Sequence, residues 1–363
     1  MQQEAAIYKC DAAVRNLGEK EFERFDDLIY HHYTNRVPIG RDNVVLLTPI
    51  SHSKTLFKSD DIEILSELGE GNFGKVYKVR IKSQNIQCAM KTMHENVPRE
   101  MKEMFVKEMD MMATMHHENI VTCIGTVESN SEIKILLELI NQGSLESLVQ
   151  RNKLTDRGKA RLLYHVAKGM SYLHKRNIIH RDLAARNILV NKDESKRIIA
   201  KVSDFGLSRR DDSGRGYQLQ SSQKLPLRWL APECFTKRSW TKASDVWSFG
   251  ILMYEVFTNG AEPYADMNLE DAKNLSKYIS KGGHPAEIPG LNPLMREIML
   301  SCWKLREEER PTMEQLQILL LQTYRQYGQN FAKIKSICFE TEKSKIKAKS
   351  ILSFTRSENN LKY

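Results

Sequence analysis

Residues 180–187 have the sequence HRDLAARN and gather several charged and polar side chains in one short stretch. Asp182 supplies a carboxylate that can act as a general base, and Arg186 supplies a guanidinium four residues later. Asn187 supplies an amide oxygen, and carboxylate and carbonyl oxygens are ligands for hard cations such as Mg²⁺. The stretch therefore predicts a polar loop in which a possible base, a guanidinium and a possible metal ligand lie close together.

A glycine-rich run, GEGNFGKV at residues 69–76, adjoins two β-rich segments, residues 62–68 and 76–81. Alone the G-x-G-x-x-G pattern is a weak signal, because dinucleotide-binding turns and ordinary hairpins also contain it. A dinucleotide-binding turn requires a helix directly after the glycines and an acidic residue about 20 positions further on. Here a strand follows, and the residue near that distance is basic, Lys91. The pattern therefore disfavours a dinucleotide-binding turn and favours a hairpin.

Glu108 falls in the middle of an apolar helical face, three or four positions from its apolar neighbours. A carboxylate buried without a cation costs roughly several kcal/mol, so Glu108 needs a positively charged partner unless it reaches solvent. Lys91 is the partner that we predict. The face consists of Met104, Phe105, Met111, Met112 and Met115.

Further motifs follow in order: CAMK at residues 88–91, DFG at residues 204–206 and LAPE at residues 230–233. With the two runs described above, their order and spacing resemble those of protein kinases. The resemblance covers residues 62–326 and implies an α+β bilobal protein kinase fold. It implies a β-rich small lobe that contains helix αC and a mainly helical large lobe.

The same resemblance assigns roles to individual residues. Asp182 is the expected catalytic base, with Arg186, Lys91 and Glu108 completing the catalytic set. ATP and Mg²⁺ (or Mn²⁺) are the expected cofactors, and the metal ligands are Asn187 and Asp204. Leu137 holds the gatekeeper position directly before residues 138–140, which are the expected hinge between the lobes. The residues expected to contact ATP are Leu68, Gly69, Glu70, Gly71, Asn72, Phe73, Gly74, Val76, Ala89, Lys91, Glu138, Ile140 and Leu189.

Two further roles implied by the resemblance are structural. Asp245, in the SDVWSFG run at residues 244–250, is expected to brace the catalytic loop from within the large lobe. Arg310 is expected to pair with Glu233 of the LAPE motif. Loss of either partner would leave a charge buried without compensation.

The acceptor is expected to be tyrosine. Serine/threonine kinases usually carry a lysine two residues after the catalytic aspartate, whereas this chain has Ala184 there and Arg186 at the fourth position, as in tyrosine kinases. Residues 225–229, LPLRW, resemble the peptide-docking loop of tyrosine kinases. Tyr217 has the spacing of an activation-loop phosphosite, with Arg181, Arg209 and Arg210 as cations that a phosphate could recruit. The implied enzyme is a non-specific protein-tyrosine kinase.

The first 50 residues carry a second resemblance. Residues 22–33 read as a helix and VVLLTPI at residues 44–50 as a strand, similar to the end of an SH2 domain. The whole chain thus resembles the SH2 and kinase junction of the non-receptor Fes/Fer kinases. The predicted domains are a partial SH2-like segment (1–50), a linker (51–61), the kinase domain (62–326) and a basic tail (327–363). Because the chain begins after the strand that would carry the phosphotyrosine-binding arginine, we do not expect phosphotyrosine binding by residues 1–50.

Composition indicates a cytoplasmic protein. The six cysteines lie far apart and form no C-x-x-C, which indicates a reducing compartment, and no apolar run approaches the length of a membrane span. Residues 331–363 hold eight Lys and Arg against three Glu, within a net charge of +9. Such a tail is either simply solvated or in peripheral contact with the anionic inner face of the plasma membrane. Nucleic-acid binding is not expected, because no aromatic platform accompanies the charge.

Two functions of different classes remain open on sequence. One is an active kinase with protein substrates that offer tyrosine acceptors. The other is a pseudokinase scaffold that binds nucleotide or partners without turnover. A pseudokinase usually lacks one of three residues that this chain retains, namely Lys91, Asp182 and Asp204.

Overall fold

The computed structural model describes residues 56–71, 74–93, 99–128, 134–151, 154–192, 197–211, 217–218, 225–265 and 272–327. The predicted SH2-like segment and nearly all of the predicted basic tail lie outside the described residues. The chain divides into two compact units, Met1–Tyr324 and Arg325–Tyr363. The fold below belongs to the first unit, except for the end of the last helix.

The small lobe is built on a six-stranded sheet with the order β1-β5-β6-β4-β3-β2. All neighbours are antiparallel except β1 and β5, which run parallel. The strands are β1 (Leu56–Lys58), β2 (Ile62–Gly71), β3 (Gly74–Ile81), β4 (Ile86–Lys91), β5 (Cys123–Glu128) and β6 (Lys134–Glu138).

One face of this sheet carries an apolar cluster. Val79 and Ile81 of β3 are two residues apart and both fully buried, as the alternation of side chains along a strand requires. Phe57 of β1 joins the same cluster although it lies in the interval predicted as linker, so ordered structure begins before residue 62. The buried members are Phe57, Val79, Ile81, Cys88, Met90, Val127 and Leu136.

Helix α1 (Arg99–Met112) carries an apolar face, as the sequence predicts. Phe105, Glu108 and Met112 are all buried on it, and Met115 is buried just after the helix ends. The Glu108 carboxylate is therefore shielded from solvent, which is the condition under which burial demands a counter-charge.

The large lobe is mainly helical. Helix α3 (Asp156–Lys175) begins at Thr155, whose hydroxyl accepts a hydrogen bond from the Gly158 amide. Helix α5 (Lys242–Phe257) begins with a capping box of Thr241 and Ser244 and is buried along almost its whole length. The others are α2 (Leu145–Arg151), α4 (Pro232–Thr236), α6 (Ala272–Ile279), α7 (Pro293–Cys302) and α8 (Met313–Gln326).

Three short two-stranded sheets position the loops between these helices. The HRDLAARN loop lies between β7 (Ile178–Ile179) and β8 (Ile188–Lys192). The DFG motif directly follows β9 (Ile198–Val202), which pairs with β8. This pairing brings the two predicted metal ligands to neighbouring strand ends. The remaining strands are β10 (Arg209–Arg210), β11 (Tyr217–Gln218) and β12 (Ser239–Trp240).

The predicted α+β fold, with a β-rich small lobe and a mainly helical large lobe, is confirmed. No helix in the described ranges is both long and apolar enough to cross a bilayer. The four cysteines within those ranges, Cys88, Cys123, Cys234 and Cys302, are free and buried.

Candidate active site

The HRDLAARN loop, which is predicted to be the catalytic loop, brings Arg186 and Asn187 onto the carboxylate of Asp182. Arg186 Nη2 donates to Asp182 Oδ1 at 2.5 Å, and Asn187 Nδ2 donates to Asp182 Oδ2 at 2.8 Å. A second bond from the same Nδ2 reaches the Asp182 main-chain oxygen, also at 2.8 Å. Because both bonds of Asn187 use its nitrogen, its amide oxygen is the atom that remains to bind a cation.

Asp245 of α5 holds the beginning of this loop, as predicted. Its Oδ2 accepts from the His180 amide at 2.8 Å and its Oδ1 from the Arg181 amide at 2.9 Å. His174 Nε2 lies 2.9 Å from the same carboxylate. These contacts fix the backbone at Arg181, whose φ of 71° is in the left-handed region that side chains rarely adopt.

Lys91 connects the small-lobe sheet to two carboxylates. Its Nζ lies 2.7 Å from Glu108 Oε1 on α1 and 3.3 Å from Asp204 Oδ1 of the DFG motif. Glu108 is buried, so the pairing that the burial argument predicts is confirmed. The three charges tie together a strand, a helix and the segment after β9, which are distant in sequence.

The electrostatics of this trio favour a charged lysine. Burial alone would lower the pKa of Lys91, but Glu108 and Asp204 outweigh it and hold that pKa above its ordinary value. The charge of Lys91 also lowers the pKa of Asp204, so its carboxylate stays ionised. Burial raises the pKa of Glu108 against the opposing effect of Lys91, which means that the Glu108 carboxylate depends on the lysine for its charge.

The pKa of Asp182 shifts in the opposite direction from that of Asp204. Burial raises the pKa of its carboxyl above the ordinary value, while the nearby charge of Arg186 and the hydrogen bond from Asn187 oppose that rise. A carboxylate with a raised pKa accepts a proton more readily, which suits a general base.

The glycine-rich run forms the hairpin of β2 and β3. Gly69 pairs with Val76 across the hairpin, and open space surrounds the position where a side chain at Gly69 would project. Gly74 has a φ of +155°, and a Cβ there would lie 1.8 Å from the Thr92 carbonyl oxygen, so no other residue fits. Gly71 and Glu70 lie on β2, whereas Asn72 and Phe73 are outside the described residues.

The remaining predicted ATP contacts lie on β2, β3, β4 and β8 and just after β6. Val76 pairs with Lys91 and Ala89 with Leu137, so these positions are cross-strand neighbours. Ile140 and Leu189 are half-buried, and Leu68 is exposed.

The Glu138 side chain points to partners that the sequence did not indicate. Its Oε1 accepts from the Thr122 amide and from Lys201 Nζ, both at 2.7 Å. Lys201 lies three residues before Asp204, so this ion pair links the hinge to the DFG segment. A contact of Glu138 with nucleotide would therefore use its main chain.

The segment 225–229 lies against the catalytic loop. The Arg186 guanidinium carbon stands 4.4 Å from the centre of the Trp229 ring, a cation–π contact. Trp229 Nε1 donates to Glu255 Oε2 at 3.0 Å, and the Ala185 amide donates to the same oxygen at 3.0 Å. Glu255 is a residue that the sequence analysis missed. It stands in the apolar run ILMYEVF at residues 251–257, so the reasoning used for Glu108 would have found it.

Glu233 and Arg310 form the predicted buried pair. Arg310 Nη1 and Nη2 donate to the two Glu233 carboxylate oxygens at 2.6 and 2.8 Å. Arg310 also donates to three main-chain oxygens, so its guanidinium is satisfied on all sides. This pair lies at the start of α4 and stabilises the large lobe.

Tyr217 lies on β11, where its backbone pairs with Trp240 of β12. The Arg181 guanidinium carbon is 4.6 Å from the centre of the Trp240 ring. Arg209 and Arg210 form β10, which pairs with Ile178 and Ile179 immediately before the catalytic loop.

Comparison with known proteins agrees with this geometry. The profile of a family described as protein tyrosine and serine/threonine kinase matches residues 62–320. Tyrosine-protein kinase Fer from Homo sapiens is 37% identical over 300 residues, 82% of this chain and 35% of that protein. Tyrosine-protein kinase transforming protein Fps of avian sarcoma virus (strain PRCII) is 32% identical over 288 residues, 78% of this chain and 53% of that protein.

Receptor proteins are similar as well. Ephrin type-B receptor 1 from Gallus gallus is 34% identical over 307 residues, 80% of this chain and 30% of that protein. The chain spans about a third of the length of the Fer proteins that it matches. The profile match covers well over half of the 363 residues and includes every motif described above. The chain therefore belongs to the protein tyrosine and serine/threonine kinase family.

Proposed function

We propose that the chain transfers the γ-phosphoryl group of ATP to tyrosine hydroxyl groups of proteins in intracellular signalling. The observation that carries this proposal is the simultaneous contact of Lys91 with Glu108 and Asp204, next to an Asp182 held by Arg186 and Asn187. In kinases the lysine and helix αC pair and the DFG aspartate must both be in place for transfer. A scaffold without turnover has no need for this arrangement.

ATP would bind between the glycine-rich hairpin and the large lobe. Lys91 would hold the α and β phosphates, and Glu108 would keep the lysine oriented. The main chain around Gly69 faces open space, which permits close approach of phosphate oxygens. Val76, Ala89 and Leu189 would enclose the adenine, while the main chain at Glu138 and Ile140 would bind its edge.

The donor atoms present suit a divalent cation. In the described part of the chain, no group of three or more His, Cys, Asp or Glu side chains is placed so that it could hold a metal ion. Mg²⁺ bound together with nucleotide phosphates needs only one or two protein ligands, and Asp204 and Asn187 offer an ionised carboxylate and an amide oxygen. A bound Mg²⁺ (or Mn²⁺) would neutralise charge that develops on the phosphate oxygens.

The acceptor hydroxyl would be positioned by the catalytic loop. Asp182 would accept the hydroxyl proton late in a loose transition state, which suits a phenol whose pKa is near about 10. Arg186, which stacks on Trp229, would orient the ring of the acceptor tyrosine. Residues 225–229 would form the platform beneath the acceptor tyrosine.

Phosphorylation of Tyr217 would activate the enzyme. The backbone partner of Tyr217 is Trp240, on whose ring Arg181 stacks, and Arg181 directly precedes Asp182. A phosphate adds about −1.5 to −2 charge and makes one to three charge-assisted hydrogen bonds, enough to order a loop. Arg181, Arg209 and Arg210 are the cations that it would attract.

The proposed setting is the cytoplasm, with residues 1–50 as part of an SH2 domain, 51–61 as a linker and 62–326 as the kinase domain. The four free buried cysteines support a reducing compartment.

The basic tail, residues 327–363, would contact anionic lipid at the inner face of the plasma membrane. Flotation with phosphatidylserine vesicles should retain the full chain and lose a chain ending at residue 327. Equal flotation would exclude tail contact.

The test of the catalytic proposal is autophosphorylation of the purified chain with Mg-ATP, detected with an antibody to phosphotyrosine. Wild type should give a signal, and Lys91→Met and Asp204→Asn should abolish it at equal soluble yield. Activity within tenfold of wild type in either variant would refute the assigned mechanism.

A further inference from the structure

Glu255 is a buried carboxylate that holds two different segments at once. It lies on α5 and is 3% exposed. Its Oε2 accepts from the Ala185 amide of the catalytic loop and from the Trp229 indole of the 225–229 segment, both at 3.0 Å. One oxygen atom thus joins the loop that carries Asp182 to the proposed acceptor platform.

Helix α5 contacts the platform at a second point on the same face. Ser248 Oγ donates to the Trp229 main-chain oxygen at 2.7 Å. Ser248 and Glu255 are seven residues apart, close to two helical turns, so their side chains project in nearly the same direction. The helix therefore fixes both the main chain and the indole of Trp229.

Asp182 lies between two points of the loop that α5 anchors. Asp245 accepts from the amides of His180 and Arg181 before it, and Glu255 accepts from the amide of Ala185 after it. Movement of either anchor would change the direction of the Asp182 carboxylate relative to an acceptor on the platform.

We propose that Glu255 is a positioning residue that sets the distance between the acceptor platform and Asp182. The proposal rests on the proposed tyrosine kinase function. Glu255 would act through Trp229 and Ala185, without touching substrate. A carboxylate in an apolar helix is poorly suited to stability alone, because an apolar residue of similar size would avoid its desolvation. The two donors that converge on it account for its presence.

The charge of Glu255 offers a spectroscopic signal of this contact. Burial raises the pKa of Glu255 to about 7, with the hydrogen bonds from Trp229 and Ala185 opposing that rise. Arg186 of the catalytic loop also lowers the pKa, and Glu146 on α2 raises it. The carboxyl therefore changes charge near neutral pH while its Oε2 remains hydrogen-bonded to the indole.

The first experiment uses the four tryptophans of the chain, which give four indole N–H signals in a protein labelled with ¹⁵N-tryptophan. The Trp229→Phe variant assigns one of them. That signal should shift as the pH rises from about 6 to 8, and Glu255→Gln should abolish the shift. A Trp229 signal that is constant over this range, or one that still shifts in Glu255→Gln, would overturn the contact. This readout requires no catalysis.

The second experiment measures peptide kinetics. Glu255→Leu removes the oxygen that accepts both hydrogen bonds and should lower kcat/KM for a tyrosine peptide at least tenfold, with the KM for ATP within twofold of wild type. Glu255→Gln keeps an acceptor oxygen and should recover to within about threefold. Trp229→Phe keeps an aromatic ring for Arg186 but loses the indole N–H that donates to Glu255, so it should raise the peptide KM severalfold. This variant tests the same contact if Glu255→Leu does not fold.

The outcomes separate the two proposals. An active wild type whose Trp229→Phe and Glu255→Leu variants match it, and whose Trp229 signal does not titrate, refutes the role of Glu255 and leaves the kinase function intact. A uniform loss in which the KM for ATP rises as much as the peptide KM would show a purely structural role. A folded wild type that phosphorylates no tyrosine peptide would refute both the kinase function and the positioning role, whatever the Trp229 signal does.

Discussion

Lys91 and Glu108 meet at 2.7 Å between Nζ and Oε1, which joins strand β4 to helix α1 inside the small lobe. The glutamate is 5% exposed, so few solvent molecules compete for its charge. The same lysine reaches Asp204 at 3.3 Å. Because the carboxylates of Glu108 and Asp204 both pair with Lys91, the position of α1 and the position of the DFG motif depend on each other.

Replacing Glu108 by glutamine should lower kcat at least tenfold, because the lysine would lose its charged partner on α1 and its orientation toward phosphate. Steady-state kinetics with a tyrosine peptide would measure this. The matched control is Glu63→Gln, which breaks an exposed pair with Arg80 in the same lobe and should change kcat less than twofold. Equal effects of the two changes would contradict the role given to Glu108.

Sequence patterns predicted those parts of the site that depend on local spacing or on one buried charge. Glu108 was found because its helix has an apolar face, and Asp245 because its motif has fixed spacing. Lys201 was missed because its partner, Glu138, comes from a strand 63 residues earlier, and no local pattern encodes that contact. The strand at Phe57 was not predicted, because three residues give too short a pattern to indicate a strand.

The buried pair of Glu233 and Arg310 should contribute strongly to folding. Glu233→Gln should lower the free energy of unfolding by roughly 3 to 5 kcal/mol, because it leaves the Arg310 charge buried without a counter-charge. Glu314→Gln, which breaks an exposed pair with Lys175, should lower it by under about 1 kcal/mol. Urea denaturation would compare them, and similar losses in both variants would argue against the importance of the buried pair.

Glu255 should make stability depend on pH. Its pKa lies near 7 in the folded state against an ordinary value of 4.5, so the folded state binds the extra proton between these values. The contribution of Glu255 to the free energy of unfolding is fully present below about pH 4.5. It is lost as the pH rises to about 7, and the loss is at most about 3 kcal/mol. Melting temperatures from pH 5 to 8 should therefore fall more for wild type than for Glu255→Gln. Parallel curves would contradict the raised pKa.

Tyr217→Phe should lower kcat severalfold and leave the KM for ATP nearly unchanged, because the change removes the phosphate acceptor and leaves the nucleotide contacts alone. It should also remove the main autophosphorylated peptide from a tryptic mass-spectrometric map. Tyr164→Phe on α3 is the control and should change neither result. A Tyr217→Phe variant with unchanged kcat and an unchanged map would exclude a regulatory role for Tyr217.

Acceptor specificity tests the central claim most directly. The purified chain is offered Mg-ATP and three peptides that are identical except for a single Tyr, Ser or Thr, and initial rates are measured for each. If Ala184, Arg186 and the 225–229 platform position a phenol as proposed, the tyrosine peptide should be phosphorylated at least about a hundredfold faster than the other two, a difference of roughly 3 kcal/mol in activation free energy. Comparable rates on serine or threonine would contradict the account.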